Sequence, residues 1–227
     1  MLLEAAGGDA ARLDAMVRRR STGEPVEWIV GWAPFWGLRV GMCAGVYVPR
    51  AQTEGLARRA TALLPPMGIA IDLATGSGAV AMVLRASSPG ARVVATESDP
   101  IAAACARANG IDVYEGDLDG PLPADLEGRV DVLTANVPYV PTAMIDLLPR
   151  DVREHEPRAA LDGGPDGLDL VRRVVALAAR WLRPGTGTLL VEIGPDQASA
   201  FPDADHLLDD EGDVRAIEVR SVSDWRP

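Results

Sequence analysis

The chain has 227 residues, 48% hydrophobic and 24% charged, which suits one domain with a sizeable buried core. A formal charge of -11 argues against a nucleic-acid partner, which is gripped by clustered cations, and no apolar run nears the roughly 18 residues that a membrane span needs. The N-terminus "MLLEAAGGDAARLDAMVRRR" lacks the basic-then-apolar order of a signal peptide, so a cytoplasmic protein is expected, and Cys43 and Cys105, without CxxC spacing, predict reduced thiols and no metal site.

Residues 9–20 read as a short helix with a basic end. In "STGEPVEWIVGWAPFWGLRV" the aromatics, glycines and alternation predict a β-hairpin. Residues 1–50 are thus expected to be a short N-terminal extension, and residues 51–227 the main domain. The helical stretch "AQTEGLARRATALL" stops at Pro65 and Pro66. Strands and helices then alternate: "GIAIDLA", a helix from about Ala79 to Ala86, "ARVVATE", a helix from about Ile101 to Asn109, "IDVYEGD", "VDVLTAN", a helix across "GLDLVRRVVALAARWL", and "GTLLVEIG". That order predicts an α/β fold, a doubly wound, mostly parallel sheet with helices on both faces. Beyond Gly194, "PDQASAFPDADHLLDDEGD" reads as a helix broken by Pro202, and "VRAIEVRSV" as one closing strand.

Ligands of such sheets sit beyond the carboxyl ends of the strands, and here those ends are polar: "IDLATGSG", Glu97, Asp117, Asn136 and Glu192. In "DLATGSGAVA", Gly76 and Gly78 let backbone approach a ligand, and Ala81 permits tight helix packing. The loop also satisfies the G-x-G-x-x-A dinucleotide pattern, with Glu97 where a ribose-binding acid would stand. A dinucleotide would bring its pyrophosphate near Asp72. S-adenosylmethionine carries no phosphate and bears a cationic sulfonium and an ammonium, so Asp72 favours it. Glu97 can accept ribose hydroxyls through its two oxygens, and Asp117 can accept from an adenine amino group; Asp99 serves as the cap of the following helix.

The stretch "VDVLTANVPYVPT" ends a buried strand on an amide, two prolines and an aromatic ring. An amide nitrogen is a poor nucleophile, because its lone pair is delocalised. The Asn136 side-chain oxygen and the Val137 carbonyl can hold both N–H bonds of a planar NH2 group, Tyr139 can stack on its plane, and positioning then supplies most of what a methyl transfer needs. No strong general base is required, and His155 and His206 read as structural.

These residues carry a resemblance. The chain is similar to the HemK-type protein-(glutamine-N5) methyltransferases, which modify the GGQ-loop glutamine of peptide-chain release factors, from about Gly23 to Gln197. The motifs are "GEPVEWIVG", "FWGLRV", "VYVPRAQTE", "DLATGSGAVA", "NVPYVP" and "EHEPRAALDGGPDGLD", the last of which general Rossmann-like methyltransferases lack. The resemblance implies a Rossmann-like S-adenosylmethionine-dependent fold. It implies donor binding by Asp72, Ala74, Thr75, Gly76, Gly78, Glu97, Ser98, Asp117, Leu118 and Asn136, and acceptor binding and catalysis by Asn136, Val137, Pro138 and Tyr139. It further implies a release factor as partner, with a monomer expected. Pro49, Arg50, Thr53 and Glu54 match the segment that enters the fold, where Arg50 and Glu54 could instead form an ion pair locking the hairpin onto the core.

Three departures from the family pattern stand out. Val137 replaces the usual proline, keeping the carbonyl while Pro138 still confines residue 137 to extended backbone. Only about 20 residues stand where the family has an N-terminal helical domain. The closing strand hairpin is hard to find in "DVRAIEVRSVSDWRP", so an edge strand is expected to be short or absent. Two readings compete with glutamine methylation: N-methylation of a small-molecule or peptide amide or amine, and donor binding without catalysis. An adenine-base methyltransferase, with a similar clamp, is disfavoured by the net charge.

Overall fold

A computed structural model describes residues 1–220. Three short helices open the chain: α1 (Leu2–Ala6), α2 (Ala10–Ser21) and α3 (Val26–Val30). Asp9 starts α2 by accepting from the Arg12 N–H at 3.0 Å, the side-chain cap that a free first turn needs. Ala6, Met16 and Ile29 bury their side chains together between the three helices. The hairpin expected over residues 21–40 is shorter than that stretch: its first half forms α3, and strands β1 (Trp32–Phe35) and β2 (Leu38–Gly41) pair antiparallel. Glu54 accepts from the Trp36 N–H at 2.8 Å and ties the hairpin turn to the next helix. Arg50 pairs instead with Glu156 at 2.5 Å, so the Arg50–Glu54 ion pair is not formed.

The main sheet follows the alternation read from the sequence. Its elements are α4 (Thr53–Leu63), β3 (Ile69–Leu73), α5 (Ala79–Ser87), β4 (Arg92–Glu97), α6 (Pro100–Ala108), β5 (Asp112–Glu115), β6 (Val132–Ala135), α7 (Arg150–His155), α8 (Asp169–Trp181), β7 (Thr188–Glu192), β8 (Asp205–Leu208) and β9 (Val214–Arg220). The order is β5-β4-β3-β6-β7-β9-β8. The first five strands of that order are parallel, and β9 runs antiparallel to both β7 and β8.

Successive strand residues face opposite sides, and the two faces divide the core. Ile71, Leu73 and Leu133 pack with Val171, Val174, Ala178 and Trp181 of α8 on one side. Ala70, Val132 and Leu190 pack with Leu56, Val83, Leu84 and Cys105 of α4, α5 and α6 on the other, where Phe35 and Val40 bring the hairpin in. Helix α6 starts where Asp99 accepts from the Ile101 and Ala102 N–H groups, with Pro100 in its first turn, as a proline-compatible helix start requires.

The C-terminal end corrects two expectations. The segment after Gly194 forms a 3₁₀ turn over Pro195–Ala200 and then strand β8, rather than a helix broken by Pro202. The closing hairpin is present: β8 pairs with β9 through the register Asp205↔Glu218 to Leu208↔Val214. Its loop is set by Asp209, which accepts from the N–H groups of Glu211 and Asp213, a turn that aspartate stabilises locally. Of the strand read over residues 214–222, positions 221 and 222 lie outside the described residues.

Candidate active site

Strand order reverses between β3 and β6, and a crevice opens beyond their carboxyl ends, where ligands of doubly wound sheets bind. Its walls include Asp72, Ala74, Thr75, Gly76, Glu97, Ser98, Asp117 and Leu118 at one end and Asn136, Val137, Pro138 and Tyr139 at the other, with Phe35, Tyr47 and Pro49 contributed by the chain before α4. Gly78 is not in the wall. It stands at φ 84, and an added Cβ would lie 3.0 Å from Ile111 Cγ1 and 3.2 Å from the Ala106 side chain. Its lack of a side chain therefore serves helix packing. At Gly76, also at positive φ, an added Cβ would meet no atom within 4 Å, so the open space there is the crevice itself.

Asp72 is 3% exposed. Its Oδ2 accepts from the Thr75 hydroxyl at 2.5 Å and its Oδ1 from the Thr134 hydroxyl at 2.7 Å. Burial pushes its carboxyl up to about 6, against the stabilising hydrogen bonds from Thr75, Thr134 and the Ala81 backbone. Asp72 thus braces the glycine loop and brings negative charge to the wall. Glu97 accepts from the Gly76 N–H at 2.8 Å through Oε2 and from the Ser98 and Asp99 N–H groups at 2.8 and 3.0 Å through Oε1. A carboxylate offers about four lone-pair directions. With three in use, Glu97 can take one ribose hydroxyl without losing a bond, and two only by sharing. Ala74 and Leu118 hold φ of 51 and 44, left-handed backbone that costs a non-glycine residue energy and clusters at functional sites. Asp117 is exposed and paired with Arg173 at 2.6 Å, so an adenine amino group would have to compete with a guanidinium for its carboxylate.

At the other end of the crevice, Asn136 Nδ2 donates to Thr53 Oγ1 at 3.3 Å, which leaves Oδ1 as the end of the amide available to a ligand. Val137 is 1% exposed with its side chain in the core, and among the described residues neither its N–H nor its carbonyl makes a hydrogen bond. The Tyr139 hydroxyl donates to Glu192 Oε1 at 3.0 Å and accepts from Gln52 Nε2 at 2.7 Å. Burial, then the neighbouring Glu192 charge, holds the Tyr139 hydroxyl far above its usual range. The Tyr47 ring lies under Arg50, whose guanidinium carbon is 4.9 Å from the ring centre, and burial pushes the Tyr47 hydroxyl up to about 12. Glu156, the partner of Arg50, is pushed up to about 7 by burial despite that cation. His155 packs edge-on against Trp28 with ring centres 6.4 Å apart, and a His206 ring nitrogen lies 3.1 Å from the Phe201 carbonyl.

Sequence reasoning missed Gln52 and Tyr47. Glu192 was visible only as a polar strand end, and nothing local in "VEIG" signals that it faces a tyrosine in the loop after β6. Among the described residues, no helix is long and apolar enough to cross a membrane.

No family model matches the chain. It is 39% identical over 196 residues to the release factor glutamine methyltransferase of Geobacter sulfurreducens, covering 84% of this chain and 68% of that protein. It is 41% identical over 207 residues to the enzyme of the same name from Moorella thermoacetica, covering 88% and 72%. The chain belongs to the release factor glutamine methyltransferase family. It spans about two thirds of the length of these relatives. A further relative, 39% identical over 82% of this chain and 66% of its own length, is the 4-amino-L-phenylalanine/4-methylamino-L-phenylalanine methyltransferase of Streptomyces pristinaespiralis. In fold the chain is similar to the hMettl16 catalytic domain, with a TM-score of 0.57 at 15% identity over 96% of this chain and 83% of that one. It is likewise similar to Pyrococcus horikoshii TYW2 in complex with MeSAdo, with a TM-score of 0.54 at 13% identity over 83% and 70%.

Release factor glutamine methyltransferases depend on S-adenosylmethionine, and this chain is an S-adenosylmethionine-dependent methyltransferase. The crevice fits that donor by its own chemistry. Open space lies before Gly76, a buried carboxylate lies in the wall at Asp72, Glu97 has a free lone-pair direction, and Ala102, Leu118 and Leu170 supply apolar wall.

Proposed function

We propose that this protein transfers a methyl group to the side-chain amide nitrogen of a protein glutamine, in the GGQ loop of a peptide-chain release factor. The observation that carries this reading is the orientation of Asn136. Its nitrogen is occupied by Thr53, which leaves its oxygen free, and the carbonyl of the next residue, Val137, makes no hydrogen bond among the described residues; both residues line the crevice, giving two acceptors for the two N–H bonds of a planar NH2 group. The names of the Geobacter sulfurreducens and Moorella thermoacetica relatives support the same acceptor.

Bound S-adenosylmethionine would supply an electrophilic methyl on a cationic sulfur. Asp72, Gly76 and Glu97 hold the donor. Asn136 and Val137 fix the amide plane, and the Tyr139 ring covers it, so that the poor nucleophile is already in a near-attack arrangement. Once methylated, the nitrogen is acidic and its proton leaves to solvent without a dedicated base.

A second reading, N-methylation of an aromatic amine, is favoured by the Streptomyces pristinaespiralis relative, since an arylamine also offers a near-planar NH2 group. One experiment separates the two. The protein is incubated with methyl-labelled S-adenosylmethionine and either a release factor or 4-amino-L-phenylalanine. Label on the GGQ glutamine is the expected result. Label on the arylamine alone would overturn the first reading in favour of the second, and label on neither would overturn both.

A further inference from the structure

The proposed chemistry uses the Tyr139 ring, yet a carboxylate is buried behind that ring. Glu192 ends β7 at 1% exposure. Its Oε1 accepts from the Tyr139 hydroxyl and from Gln52 Nε2, both at 3.0 Å, while its buried Oε2 makes no close hydrogen bond, the Thr53 hydroxyl being near enough to favour the charged carboxylate. An apolar side chain of similar volume would serve the fold at least as well there, because removing a carboxylate from water is expensive. A buried polar atom left unsatisfied calls for a reason. What Glu192 supplies that leucine cannot is an acceptor for the tyrosine hydroxyl.

The chain just beyond Glu192 holds the same residue by its other end. Gln197 Nε2 donates to the Tyr139 carbonyl at 2.8 Å, and Gln197 Oε1 accepts from the Gly194 N–H at 2.8 Å. Gln52 closes a triangle, donating to the Tyr139 hydroxyl at 2.7 Å as well as to Glu192. Tyr139 is thus gripped at hydroxyl and backbone by residues 192–197.

We propose that Glu192 is a positioning residue for methyl transfer, which by accepting the Tyr139 hydroxyl fixes the plane of that ring against the acceptor NH2 group. The claim rests on the methyl-transfer reading above. Glu192 lies behind the tyrosine and acts through it, and Gln197 holds the backbone that carries the ring.

The test compares wild type, Glu192→Ala, Glu192→Gln, Tyr139→Phe and the Tyr139→Phe/Glu192→Ala double variant on whichever acceptor the wild type methylates, with donor affinity measured in parallel by calorimetry. Glu192→Ala is expected to lower kcat about tenfold while donor Kd stays within about twofold. Glu192→Gln keeps an acceptor oxygen and is expected to recover most of the loss. In the Tyr139→Phe background, removing Glu192 is expected to cost nothing further, the signature of two residues acting as one unit. Losses that multiply in the double variant, or an unchanged kcat in Glu192→Ala, would overturn the proposal.

If Glu192→Ala does not fold, Gln52→Ala takes its place with the same expectations, and equal losses with and without the hydroxyl would overturn the claim. Should the wild type methylate neither acceptor, the functional reading fails. The positioning claim is then read from NMR of labelled tyrosine, where slow flipping of the Tyr139 ring in wild type and in Glu192→Gln, and fast flipping in Gln52→Ala, are expected. Fast flipping in wild type would refute it.

Discussion

Lowering the pH from 7 to 5 should weaken donor binding about tenfold, through Asp72 alone. Burial raises this carboxyl from its ordinary value of 3.8 to about 6. With that value about nine tenths of the protein carries an ionised Asp72 at pH 7, and about one tenth at pH 5. If the cationic end of the donor binds only the ionised form, the apparent affinity scales with that fraction, which gives the tenfold change. The stability of the unliganded protein should move the other way. A folded pKa above the unfolded one means that the fold favours the protonated acid, so this stability is fully present below about pH 4 and is lost as the pH rises through about 6. Each pKa unit is worth about 1.4 kcal/mol, so the loss for this buried group is about 3 kcal/mol. Calorimetric titration with S-adenosylmethionine between pH 5 and 8, with no acceptor present, measures the first effect, and thermal melts of the unliganded protein over the same range measure the second. Asp72→Asn should bind weakly at every pH, with a flat profile. A wild-type affinity independent of pH over this range would refute the reasoning, because it would mean that Asp72 is ionised throughout or does not sense the donor's charge.

Asn136→Ala removes one of two acceptors for the acceptor amide and should lower kcat about 100-fold, the scale of a misplaced near-attack geometry; donor Kd should hold within about twofold in the same calorimetric titration. Val137→Pro should retain activity, because the N–H that proline lacks makes no hydrogen bond among the described residues and the carbonyl survives; denaturant melts should show a net loss of about 1 to 2 kcal/mol, since the valine packing given up exceeds the gain from a stiffer unfolded chain. Trp181→Ala should cost about 3 to 5 kcal/mol, since Trp181 is 0% exposed in the core and its Nε1 donates to Asp119 at 2.9 Å; a melting point lowered by about 10 °C checks it.

The sheet was legible because its signals are local. Four of the five parallel strands from Ile69 to Glu192 are largely apolar runs, the edge strand Asp112–Glu115 being the exception, and Asp99-Pro100 or Gly78-Ala79 mark helix starts that need no tertiary context. The β3–β4 side of the crevice was legible for a related reason: Asp72 and Glu97 lie at the carboxyl ends of adjacent strands with Gly76 in the loop that follows β3, and parallel pairing places adjacent strand ends together. Gly78 belonged to the same string of letters, but its constraint comes from Ile111 and Ala106 on another segment, which spacing alone does not reveal. The Arg50–Glu156 pair and the Gln52–Tyr139–Glu192 triangle join residues separated by 106, 87 and 140 positions, and partners at such distances leave no periodicity to read. The closing hairpin was missed for a different reason. Asp205–Leu208 carries no alternating apolar pattern, because β8 is an edge strand paired on one side only.

Val137 shows how such long-range packing replaces a local restraint. A proline at this position would fix the peptide through its ring and would shrink the unfolded ensemble, an effect of about 0.4 to 1 kcal/mol. Valine gives up that restraint, yet it is β-branched and therefore stiff at χ1. Its side chain is 1% exposed, inside the cluster that holds Leu118, Leu168 and Val171. Burying a valine is worth about 1.5 to 3 kcal/mol, so the packing outweighs the lost restraint. Pro138 meanwhile keeps residue 137 extended from the other side. The carbonyl proposed to receive the acceptor amide is therefore anchored by the hydrophobic core beneath it, and the same cluster supports Leu118 at the other end of the crevice. A cavity opened next to Val137, at Leu168 or Val171, would therefore loosen that carbonyl as well as weaken the fold.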